Sequence, residues 1–149
     1  MITPNRDPRY NRMVNPLYNR MINPLYNRMV NPLYNRMVNP LYNRVINPLY
    51  NRMLNPSYNS RVNPTVTVDI DGLYLYDWSG NNVGFVVYAN ANVLLVYNLQ
   101  LQYCSYGVVT DKAVLQFDAN AAWIGTWISS EAKNYNIYDK SMQLTGFTT

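Results

Sequence analysis

Proline recurs every eighth residue from Pro8 to Pro64, each time directly after an asparagine or aspartate. Each proline removes a backbone donor and pushes the residue before it out of the α region. No helix longer than about seven residues therefore fits between residues 3 and 64. The octad Asn-Pro-Leu-Tyr-Asn-Arg-Met-Val starts at Asn15, Asn23, Asn31, Asn39, Asn47 and Asn55. An imperfect copy begins at Asp7, and Asn63-Pro64 opens a last one that dissolves into other sequence. A fixed period implies one small unit that must stack on its neighbours or on another molecule. Asn-Pro-Leu-Tyr reads as a type I turn, and the following Tyr-Asn-Arg-Met-Val reads as a short extended stretch.

The copies differ in an informative way. The eighth position holds Val14, Ile22, Val30, Val38, Ile46, Leu54 and Val62. The seventh is Met13, Met21, Met29, Met37, Val45 and Met53 before Arg61, and leucine holds the third from Leu17 to Leu49. Apolar volume is kept at all three, as expected of positions buried against something. This predicts an arm that orders on contact rather than a disordered linker. Two geometries fit: a compact solenoid of stacked octads, or a straight arm lying along a groove or sheet edge of neighbouring subunits. Fully extended, such an arm reaches on the order of 200 Å.

Charge is divided between the halves. Residues 1–62 carry nine arginines and one aspartate, a net of +8, whereas residues 63–149 carry three lysines against seven acids, a net of −4. A basic arm of this kind seeks an anionic partner. The acidic half of a neighbouring copy ranks ahead of nucleic acid, an anionic glycan or a membrane surface. With no histidine and the single Cys104, an intrachain disulfide is impossible and zinc-type sites lack their ligands. The N-terminal residues show no apolar signal region, and no stretch approaches the ~18 apolar residues of a membrane helix. A cytoplasmic protein without membrane insertion is expected, with release by lysis or a signal-free route as the alternative.

From Thr65 the texture changes to alternating strand sequence, Thr65–Ile70 and then Leu73–Tyr76. A second rhythm appears, with Tyr76-Asp77, Tyr97-Asn98, Phe117-Asp118 and Tyr138-Asp139 spaced 20 or 21 residues apart. A glycine follows each pair, at Gly84, Gly125 and Gly146, and at Gly107 if two extra residues are allowed. Physically this is a hairpin unit: a strand ends in aromatic-Asp, a polar turn reverses the chain, and the return strand carries the glycine. Four such hairpins make a meander, a sandwich or a β-solenoid. The expected fold class is all-β, an octapeptide-repeat arm over 1–62 followed by a small antiparallel hairpin-repeat domain over 63–149. The rhythm resembles the hairpin repeats of choline- and glucan-binding wall modules, most closely at Leu144-Thr145-Gly146-Phe147. Those repeats cage their ligand with a Gly-Trp pair. Here Phe85, Val108, Thr126 and Phe147 follow the glycines, so the resemblance implies a hairpin fold more than a ligand.

Little here points to catalysis. Asp77, Asp118 and Asp139 occupy one repeat position and are expected to cap their own turns rather than act as an acid/base pair. Cys104, with no histidine to activate it, is expected to be a small buried residue. No phosphate loop or nucleophile elbow is present. A non-enzymatic protein with no catalytic residue, metal or cofactor is expected.

The arm carries the candidate contacts, Tyr18, Arg20, Tyr26, Arg28, Tyr34, Arg36, Tyr42, Arg44, Tyr50 and Arg52. These point first to a self-assembling structural protein whose arm links subunits into a filament, tube, sheet or ordered inclusion, by adding to an exposed sheet edge or wrapping a neighbour. A second reading is a glycan- or surface-binding β module on a repetitive stalk, with Trp78, Trp123 and Trp127 as a sugar platform. A third is single-stranded nucleic acid held by the Arg/Tyr arm. Asn-Pro-Leu-Tyr also resembles the Asn-Pro-x-Tyr peptide read by phosphotyrosine-binding domains, but repetition every eight residues leaves little room for such a domain on each copy.

Overall fold

The computed structural model describes residues 2–131 and 133–149. In each octad the asparagine before proline makes the turn. In the copy at Asn23, its backbone carbonyl accepts from Tyr26 and Asn27 N–H, and its side-chain Oδ1 accepts from Leu25 N–H at 2.8 Å. The second asparagine then starts a 3-10 turn over the Arg-Met-Val residues. Asn27 caps Arg28–Val30, with Oδ1 accepting from Met29 N–H. The extended stretch expected there is therefore a second turn, because this Asn side chain supplies an N-terminal cap.

Neither unit holds itself in place. Asn23 Nδ2 donates to the carbonyl of Pro16 at 2.9 Å, seven residues back, and Asn27 Nδ2 donates to that of Met21, six back. The pair recurs from octad to octad, so the two asparagines both fold an octad and tie it to the one before. The irregular first copy fits this logic. Asp7 has no side-chain amide to donate backwards, and its carboxylate instead takes Arg9 in an ion pair at 2.8 Å. The Arg9 guanidinium holds the Asp7 carboxyl below its usual range.

Beyond the arm, eight strands form a closed antiparallel barrel in chain order: β1 (Gly72–Asp77), β2 (Asn82–Tyr88), β3 (Val93–Asn98), β4 (Tyr103–Val109), β5 (Val114–Asp118), β6 (Trp123–Ser129), β7 (Tyr135–Asp139) and β8 (Leu144–Thr148). The four hairpins read from the sequence are the pairs β1/β2, β3/β4, β5/β6 and β7/β8. Each bulges at the same place, just before the aromatic residue of its aromatic-Asp/Asn pair. Bulges strengthen twist and coiling, which a small barrel needs in order to close. The residue seven beyond the Asp/Asn faces the next hairpin's backbone. A Cβ on Gly84 would collide with the Tyr97 carbonyl, and one on Gly146 with that of Tyr76. In the second hairpin this place belongs to Ser105, paired with Asp118, and not to Gly107. Thr65–Ile70 is not a strand either, because Asn63-Pro64 repeats the octad turn and its carbonyl accepts from Val66 and Thr67 N–H.

Strand residues alternate between two apolar faces. One set, including Leu73, Val86, Leu94, Val114, Trp127 and Ile137, fills the barrel interior. The other set points outward, including Phe85, Leu95, Tyr97, Tyr106, Leu115 and Phe117, yet it is also buried. What covers it is the arm: Val38, Ile46, Leu54, Val62 and Ile70 belong to the same cluster. Val14 packs on a smaller group of Ile128, Tyr138, Met142 and Leu144 on the wall of β6–β8. The Leu54 carbonyl accepts from Tyr97 Oη on β3 at 2.6 Å, and the Val68 carbonyl accepts from Tyr74 Oη on β1. The arm is thus a belt around the outside of its own barrel, running from the β7 side back toward β1. It is neither a free-standing solenoid nor an added strand. A closed barrel has no strand edge to offer, which removes sheet-edge addition as a mode of contact.

Only the eighth position fulfils the expectation of burial. The third and seventh face outward: Leu25, Leu41, Met21 and Met37 are 77%, 62%, 73% and 71% exposed. Ile46→Ala should therefore destabilise by about 2–4 kcal/mol, whereas Met37→Ala should change stability by less than about 0.5 kcal/mol. Chemical denaturation of the two variants checks this.

Candidate functional site

The outward face of the belt is built from four positions per octad. Leu at the third, Tyr at the fourth, Arg at the sixth and Met at the seventh are all exposed, while Asn, Pro and Val at the first, second and eighth are turned inward. The paired asparagines fix the phase of each octad, and the barrel wall accepts only the branched side chain beside them.

The structure pairs the candidate arginines and tyrosines differently from their order in the octad. Each guanidinium lies over the ring six residues later, in the next octad: Arg12 over Tyr18, Arg20 over Tyr26, Arg28 over Tyr34, Arg36 over Tyr42, Arg44 over Tyr50 and Arg52 over Tyr58. The distances to the ring centroid are uniform, from 4.7 Å for Arg20 to 4.9 Å for Arg12. Stacking of this kind holds the arginine side chain against the belt while the rest of its donors face solvent. No acidic residue occurs between Asp7 and Asp69. The outer face is therefore a continuous ladder of cation, ring, leucine and methionine at a constant interval.

The three tryptophans do not form one platform. Trp127 is fully buried inside the barrel, where its Nε1 donates to Gln116 Oε1 at 2.9 Å. Trp123 is half-buried against the outward-facing cluster and donates from Nε1 to the Gly125 carbonyl. Trp78, in the β1–β2 turn, is exposed and meets Phe147 edge-on with centroids 5.9 Å apart. Burial set by strand alternation separates them, which spacing in the hairpin repeat did not reveal.

The turn carboxylates are occupied locally. Asp118 Oδ1 accepts from Asn120 and Ala122 N–H, and Asp139 Oδ1 from Ser141 and Gln143 N–H. Asp77 accepts from the Asn81 backbone and amide, which hold its carboxyl below the usual range. Asn98 Oδ1 makes the same pair of bonds, to Gln100 and Gln102 N–H. Cys104 is exposed rather than buried, since the bulge before Tyr97 turns it to solvent while Ser105 points in. The phenols under the belt stay neutral, because burial pushes Tyr138 up to about 12 and raises Tyr97 and Tyr106 as well. Among the described residues, no group of three or more His, Cys, Asp or Glu could hold a metal ion, and no helix is long and apolar enough to cross a membrane.

Comparison with family models, with curated proteins and with solved structures finds no match for this chain.

Proposed function

We propose that the protein is a non-catalytic, self-assembling structural protein, and that the outer face of its belt makes the contacts between subunits. The observation that carries this reading is the exposed Leu/Tyr/Arg/Met ladder. Soluble monomers rarely leave a long contiguous row of apolar groups in water, and such rows mark interaction surfaces. The octad side chains that pack on the barrel are the branched ones at the eighth position, and not Leu, Met or Tyr of the third, seventh and fourth. Their repetition on the outside therefore needs another cause, and contact with a partner of matching period supplies one. The opposite charges of arm and barrel favour another copy of the same chain and make the contact salt-sensitive.

The test is light scattering of purified full-length protein across a concentration series at low and high salt. Growth into large regular particles, weakened by salt, is expected. A monodisperse monomer at high concentration and low salt would contradict the proposal. The belt's ladder also favours one earlier alternative over another: arginine and tyrosine side by side suit single-stranded nucleic acid. Binding of an oligonucleotide without any self-association would select that reading.

A further inference from the structure

The belt leaves one wall of the barrel bare. Where successive hairpins meet, aromatic rings stack on the outer surface: Phe85 on Tyr97 at 5.2 Å and Tyr106 on Phe117 at 5.8 Å, both buried beneath the belt. The seam that closes the barrel, between β8 and β1, repeats the motif with Tyr76 on Phe147 at 5.2 Å and 11° between planes. These two rings are only half-buried, and neither belongs to the clusters that the octads join. Beside them opens a groove of about 620 Å³, lined by Ile2 at the start of the arm and by Trp78, Glu131, Asn134, Asn136 and Phe147. Trp78 lies in a turn at one rim, and Glu131 lies in the β6–β7 connection at the other, so the groove runs the length of the wall.

We infer that this groove receives the outer face of a second copy's belt, an inference that rests on the assembly reading above. Charge complementarity selects the occupant. The belt offers exposed arginines with no acid between Asp7 and Asp69. The groove lining contains Glu131 and no lysine or arginine, and the chain's own Arg6, which lines the adjoining pocket with Glu131, forms no ion pair with it among the described residues. An exposed tryptophan face is the preferred ring surface for a guanidinium, and a carboxylate within the same groove gives it a second partner. The leucine and tyrosine of the same octad then cover Phe147 and Tyr76. Belt and groove are different surfaces of one chain, so the contact is head-to-tail and propagates unless its rotation closes a ring.

The experiment uses two full-length variants. One blunts the groove, Trp78→Ala with Glu131→Gln. The other blunts the belt, Leu33→Ser with Leu41→Ser. All four positions are exposed, so far-UV circular dichroism and the melting temperature should match wild type. Sedimentation velocity should show each variant alone needing at least about tenfold more protein to assemble than wild type. Mixed together, they should form a dimer that stops there, because the intact belt of one fits the intact groove of the other. Wild-type-like assembly by the groove variant would overturn the inference while leaving the assembly reading in place. A mixture that stays monomeric would overturn it too, since the intact belt of one variant would then not fit the intact groove of the other. A monomeric wild type would remove the assembly reading itself.

Discussion

A chain beginning at Asn63 is expected to lose its cooperative unfolding transition. Removing the belt strips Val38, Ile46, Leu54 and Val62 from the cluster they share with Phe85, Leu95, Tyr97, Tyr106, Leu115 and Phe117. Each buried aliphatic side chain is worth about 1.5–3 kcal/mol, so four together approach or exceed a typical total stability of about 5–15 kcal/mol. The loss is counted twice, since the barrel's outer aromatics are exposed as well. What remains is the interior cluster around Trp127 and a wall of bare rings. The shortened chain should show weak near-ultraviolet circular dichroism and bind a hydrophobic dye, and adding residues 1–62 as a separate peptide should restore the transition. A sharp, wild-type-like melt without the arm would mean that the belt is an accessory. Truncation is therefore a test of folding, and assembly has to be tested with outward-facing substitutions instead.

The second large effect is expected at Asn39, one of the most buried polar residues, at 1% exposure. Its Oδ1 accepts from Leu41 N–H at 3.0 Å and its Nδ2 donates to the Pro32 carbonyl at 3.1 Å. Asn39→Asp keeps the first bond, but it turns a carboxylate oxygen toward a carbonyl oxygen and buries a charge with no cation beside it. The cost should be about 3 kcal/mol or more at neutral pH. Burial and the facing carbonyl raise the folded-state pKa of the new carboxyl above the unfolded value of about 3.9. The sign follows: the protonated form is compatible with the fold, so the penalty is absent below the unfolded pKa and grows as pH rises past it. Relative to wild type, the variant should recover stability as pH falls from 7 toward 4. Denaturant midpoints of both proteins across that range measure it. A pH-independent difference would mean that the amide ladder does not bind octad to octad.

Much of this architecture was legible in the chain, and the rest was not, for identifiable reasons. Proline spacing excluded long helices and placed the turn at each Asn-Pro, and the aromatic-Asp rhythm gave the hairpins. It could not say that four hairpins close into a barrel, because closure depends on β8 pairing with β1 across the whole length of the domain, which a local rhythm does not encode. Burial of the eighth position alone was readable in hindsight. The third position tolerates Arg9 and Ser57 and the seventh tolerates Arg61, whereas the eighth never becomes polar. The spacing of seven from Asp77 to Gly84 likewise points to Ser105 rather than Gly107, although residue type alone favours the glycine. That the arm binds its own barrel was beyond reach of sequence, since periodicity shows that a repeat needs a surface without showing whose. The Arg–Tyr ladder was found as residues but not as geometry, because the stacking partner lies in the next octad.

The belt turns one face to its own barrel, and under the proposed function it offers the other to neighbouring copies. Residue-resolved methionine oxidation, read by mass spectrometry after brief exposure to dilute peroxide, tests it most directly. In dilute solution Met21, Met29, Met37 and Met53, all at least 65% exposed, should oxidise at similar rates, and Met142, 5% exposed, should lag well behind. At the high concentration and low salt that favour assembly, the four belt methionines should become protected. Belt methionines that oxidise as fast in concentrated as in dilute protein would contradict the claim.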